Sequence, residues 1–148
     1  MISALVGLSL IVGNALVAPL SRVVRTRTGL LMVSAGAQAV LAVACGLITN
    51  FFAVVSLYLV YGVAIGVAMP VKQAYLNAHI PSAQRATIIS LDSMFASSGG
   101  VLGQTAWGWV ARTRSIGTAW AWSGLTLLLG IPLYWMARRR DRTLDVIS

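Results

Sequence analysis

Five apolar stretches, residues 1–20, 29–48, 51–76, 86–111 and 117–137, follow one another with only short polar links between them. Crossing about 30 Å of hydrocarbon takes roughly 20 helical residues, and a helix satisfies its own backbone groups within one segment. The pattern therefore predicts an all-α polytopic transmembrane bundle of five spans in residues 1–137, followed by a basic tail over residues 138–148. Short links make neighbouring helices antiparallel. Composition agrees, since only 9% of residues are charged where a soluble domain carries about 25%. The first stretch does not read as a signal peptide, because its arginines follow the apolar run instead of preceding it.

The cations set an expected orientation. Arg22, Arg25, Arg27, Lys72, Arg85, Arg138, Arg139, Arg140 and Arg142 fall on one side of such a bundle, and Arg112 and Arg114 on the other. The richer side is expected to be cytoplasmic, which puts the C-terminus inside. An odd number of spans with a short outer N-terminal segment predicts further helices upstream. The net charge of +8 is spread in short clusters between apolar runs, so no continuous basic face for nucleic acid can form. Trp107, Trp109, Trp120 and Trp122 gather at the outer ends of the last two spans, as interfacial anchors do.

Chemistry-bearing residues are few. Cys45 is the single cysteine and His79 the single histidine, so neither a disulfide nor a metal constellation is expected. No His–Asp pair or paired aspartates lie within the spans. Nucleophilic and metal catalysis therefore have nothing to work with, and no cofactor is expected.

The most informative stretch runs from Pro70 to Gly108. It holds the only lysine, Lys72, and the only acid outside the tail, Asp92. An aspartate inside a span costs about 2.5 to 3.5 kcal/mol at mid-membrane and needs a partner, a proton or water. Asp92 reads either as part of a proton-coupling path or as a structural acceptor that fixes the hairpin. Lys72 lies at similar depth on the preceding helix, and is either its partner or a side chain snorkelling to the interface. After Asp92, the small or polar residues Ala96, Gly99, Gly103 and Ala106 form one stripe, and Ser93, Ser97, Gly100, Gln104 and Gly108 form the next. Met94, Phe95, Val101, Leu102 and Trp109 lie opposite. Such a stripe is expected to receive another helix, as is the pair Gly62 and Gly66 in the third span. Pro70 is expected to kink that span. Asn14, Gln38 and Gln104 are candidates either for lining a substrate path or for interhelical hydrogen bonds.

The run IPSAQRATIISLDSMFASSGGVLGQTAWGWVARTRSIGTAWAWSG resembles the region from the tenth to the twelfth transmembrane helix of major facilitator superfamily transporters, especially bacterial efflux-type members. Pro81, Arg85, Ala86, Thr87, Ser90, Gly99, Gly100, Gly103 and Gly108 match that pattern. SRVVR occupies the place of a family loop motif, with Arg22 and Arg25 at its basic positions and Ser21 where an acid is expected. The resemblance makes Arg22, Arg25 and Arg85 candidates for the cytoplasmic loop and gating region, and aligns the five spans with the last five of twelve. It implies proton-coupled efflux of a small molecule by alternating access, in a bacterial inner membrane, with the N-terminal half of the transporter or another membrane chain as partner. The alternative reading is a non-transporting five-helix membrane protein that assembles with a partner chain.

Overall fold

The structure, a computed structural model, describes residues 2–140, and the tail beyond Arg140, including Arg142, lies outside the described residues. Within them the chain is an all-α bundle of seven helical segments: α1 (Ile2–Ala15), α2 (Val17–Val23), α3 (Arg27–Leu47), α4 (Phe51–His79), α5 (Arg85–Thr113), α6 (Ile116–Leu128) and α7 (Gly130–Arg140). A single 3-10 turn, Ser82–Gln84, precedes α5.

Two of the breaks have the same cause. Pro19 and Pro132 each stand three residues beyond a break, at Leu16 and Leu129. Proline has no N–H to continue the ladder, and its ring crowds the carbonyl four residues back. The chain bends by 40° between α1 and α2, yet the pair is long and apolar enough together to form one bent span. Pro70 acts differently, since α4 continues past it to His79. Two helix starts carry side-chain caps: Asn50 accepts from the N–H of Ala53 at 3.1 Å, and Ser115 from that of Thr118 at 3.0 Å.

By length and composition, Arg27–Leu47, Phe51–Ala78 and Ile116–Arg139 can each cross a membrane, and the bent pair adds a fourth. Helix α5 has 29 residues, ample length at about 1.5 Å per residue. Its aspartate, glutamine, serines, threonines and glycines hold its hydropathy below that of these candidate spans. The 86–111 stretch is thus long like a span but polar along its length.

Helix α3 is the hub, packing against α4, α6 and α7, while α1 lies on the far side of α4. Lipid tails are as apolar as leucine, so these contacts depend on close packing and hydrogen bonds. Glycines make two of the crossings possible. A Cβ on Gly13 of α1 would lie 2.8 Å from the Gly66 Cα of α4, and one on Gly124 of α6 would lie 2.7 Å from the Ala39 carbonyl oxygen of α3. Gly62 is closed by Ser9, and Gly46 and Gly117 meet backbone to backbone at the far end of α3. Between α3 and α4 the contact is polar as well: the Ser34 hydroxyl donates to the Ala64 carbonyl at 2.6 Å, and Gln38 Nε2 donates to Ser34 Oγ at 3.1 Å.

Leu30, Leu31 and Val71 form the buried cluster, with Leu20, Val24 and Tyr134 against it. These residues come from the chain around the α2–α3 link, the last third of α4 and the middle of α7, so those parts share one end of the bundle. Arg22, Arg25 and Arg27 lie at that end, and Arg112 and Arg114 at the α5–α6 turn lie at the other.

Three outcomes are expected for purified protein in detergent. Gly66→Val and Gly124→Val should each destabilise the bundle by about 1 to 3 kcal/mol through overpacking, read as a lower midpoint of thermal aggregation. Gly36→Ala, with nothing within 4 Å of the added carbon, should leave that midpoint in place. Ser34→Ala should cost about 0.6 kcal/mol, the usual worth of an interhelical hydrogen bond in a membrane protein.

Candidate functional site

Helix α4 runs two residues past Pro70 to present Lys72, and then continues to His79. Ile80 is buried, Pro81 turns the chain, and α5 begins at Arg85, whose guanidinium donates to the Asn77 carbonyl at 3.4 Å. This tight connection sets the register of the two helices. Lys72 Nζ then meets Asp92 Oδ1 at 2.8 Å. Of the two sequence readings of Lys72, the geometry is that of the partner.

The side chains of Lys72 and Asp92 are 41% and 27% exposed, so this chain by itself does not enclose the pair. Asp92 is the one acid among the described residues. Apart from this bridge the two helices scarcely touch, and the helix–helix contact of α5 is with α6. A charge-assisted hydrogen bond of this length is among the stronger polar contacts. Here it spans a gap that side-chain packing does not close.

Further along α5, a second feature opens between α4, α5 and α6. Tyr61, Gln104, Trp107, Trp120 and Ser123 line an open cleft of about 370 Å³, within the range of small-molecule sites. Its aromatic wall is ordered. The Tyr58 and Tyr61 rings stack at 6.2 Å, and both meet the Trp120 ring edge to face, at 5.7 and 5.8 Å. Trp120 is therefore packed against α4, whereas Trp109 and Trp122 are well exposed. Gln104 lies twelve residues beyond Asp92, about 18 Å along the helix axis. The ion pair and the cleft are thus separate places on one helix.

The remaining sequence candidates are scattered. Asn14 is exposed on α1, and Gln38 is engaged with Ser34 in the α3–α4 contact. Arg22 and Arg25 are exposed at the end of α2 and in the link after it. Gly62 and Gly66 face α1. Gly99 and Gly100 have nothing within 4 Å, and a Cβ on Gly103 would meet only Trp107, at 4.0 Å. Residues 93–102 of α5 are exposed on all sides, large and small alike. Met94, Phe95 and Val101 therefore do not differ in exposure from the stripe opposite them.

Several residues were not singled out from sequence. Gly13, Gly46, Gly117 and Gly124 make close approaches, and Ser34 ties α3 to α4. A signal existed for the first of these. Ser9 and Gly13 are four residues apart, as are Gly62 and Gly66, and the two pairs meet face to face.

No curated protein and no solved structure matched the chain. A family model described as the Major Facilitator Superfamily matches residues 1–146, almost the whole sequence. With its apolar helices and membrane-length rods, the chain belongs to the Major Facilitator Superfamily of membrane transporters.

Proposed function

We propose that this chain works as part of a proton-coupled secondary transporter that exports a small, partly apolar molecule by alternating access. The observation that carries the proton-coupling part is the Lys72–Asp92 bridge, which joins two helices that otherwise hardly meet. A proton delivered to Asp92 removes its negative charge and with it the ionic attraction to Lys72. Helix α5 is then held to α4 through the short turn at residues 80–84 and the Arg85–Asn77 hydrogen bond beside it, and its remaining length is free to move with α6. Loss of the proton restores the bridge. The two states therefore differ in one protonation and one helix–helix contact, which is what coupling requires.

Export and an apolar cargo are supported by the resemblance to efflux-type members and by the aromatic wall of the cleft beside Gln104. The exposed faces of α5 fit a place where further membrane helices pack, with Gly99, Gly100 and Gly103 as the surface of closest approach. We place the basic end of the bundle, with Arg22, Arg25 and Arg85, on the cytoplasmic side of a bacterial inner membrane, where these arginines flank the moving links.

Transport assays in vesicles, with the transporter that carries this chain, test the proposal. Asp92→Asn should reduce proton-driven transport at least about tenfold, the scale of one essential charge interaction, while exchange without a proton gradient persists. Retained proton-driven transport in Asp92→Asn at lower protein yield would overturn the coupling role and leave a structural one. The double reversal Lys72→Asp with Asp92→Lys should restore yield but not coupling, because the acid then stands on the other helix.

A further inference from the structure

The α5–α6 turn carries a second cleft, on the opposite side of the helix pair from Gln104. Trp107, Trp109, Val110, Thr113, Arg114, Thr118 and Trp122 line about 390 Å³. Three tryptophans line it together with a cation, Arg114, and two hydroxyl-bearing residues, Thr113 and Thr118. The single acid among the described residues, Asp92, is taken by Lys72. Arg114 makes no side-chain hydrogen bond or ion pair among the described residues, and its backbone N–H is used within α5.

Helix α5 has 29 residues, and α6 runs on into α7 as one membrane-length apolar segment, Ile116–Arg139, so with both segments in a bilayer their connecting turn lies where hydrocarbon gives way to water. That is the depth at which phospholipid phosphates stand, and at which tryptophan rings settle. Arginine presents a planar fork of donors that matches phosphate oxygens. Trp109 and Trp122 run away from Arg114 along the exposed flank of the pair, 67% and 57% exposed. They offer an apolar track leading from the charge towards the hydrocarbon. An unpaired cation joined to an aromatic track is complementary to an amphiphile with a negative head and an acyl tail. A soluble anion would use the cation and leave the track idle.

We propose that this cleft binds one anionic phospholipid, its phosphate at the Arg114 guanidinium and an acyl chain along Trp109 and Trp122. The site goes beyond general interfacial anchoring, because it requires one arginine in particular and not the basic character of the turn. Arg112, two residues away and exposed, does not line the cleft. The inference depends on the membrane placement of the helices and not on proton coupling or on the direction of transport.

Native mass spectrometry of the full chain in mild detergent, titrated with phosphatidylglycerol, phosphatidylcholine or inorganic phosphate, is the test. One phosphatidylglycerol per chain should be retained at concentrations where phosphatidylcholine is lost, and Arg114→Gln should weaken retention about tenfold. Arg112→Gln should leave it unchanged. A second measurement needs no variant: in nanodiscs, acyl-brominated phosphatidylglycerol should quench tryptophan emission more than equally brominated phosphatidylcholine at the same mole fraction. Equal retention of the two lipids, equal losses in the two arginine variants, or displacement of lipid by inorganic phosphate at comparable concentration would each overturn the proposal. Equal quenching by the two brominated lipids would do the same.

Discussion

The bundle depends on how closely its helices can approach without a hydrophobic force to drive them together. In lipid, one apolar contact replaces another, so what remains is dispersion between backbones brought near each other and the few hydrogen bonds between helices. Gly13 against Gly66, and Gly124 against Ala39, supply the close approach. Ser34 donating to the Ala64 carbonyl supplies the polar tie. All three converge on α3 and α4, which is why those helices form the centre.

The same constraint explains why α5 stands apart. Its glycines and serines would permit an approach as close as that at Gly66, yet the chain holds it mainly by the turn after α4, by part of α6, and by one ion pair. A helix held in this way has few contacts to break when it moves. Packing is divided accordingly: α1, α3, α4, α6 and α7 are interlocked, and α5 is tethered. A single charge on Asp92 can matter in such an arrangement because little packing competes with it.

The two ends of α5 offer different chemistry. Towards α4 lies a partly exposed ion pair, in the middle an exposed run rich in small residues, and towards α6 two aromatic clefts on either side of the helix pair. Tryptophans that serve at one level as interfacial anchors serve at another as walls. Trp107 borders both clefts, and Trp120 closes against Tyr58 and Tyr61. Position along one helix thus separates the ion pair from the Gln104 cleft by about 18 Å.

The sequence by itself determined the fold class, the short antiparallel links and the division of cations between the two ends, because the length of an apolar run and the cost of unpaired backbone in lipid are properties of the chain alone. It also marked Asp92 as a residue in need of a partner and offered Lys72, since an acid is legible wherever it interrupts an apolar run. Tertiary structure decided which small residues meet. Gly66 and Gly99 look alike in sequence, and only the placement of α1 against α4 makes one a contact and leaves the other uncovered within this chain. It likewise decided that Gln38 is spent on Ser34 while Gln104 borders a cleft. Glycine and glutamine permit an approach or a hydrogen bond without specifying the other side, and that side is supplied by helices distant in sequence.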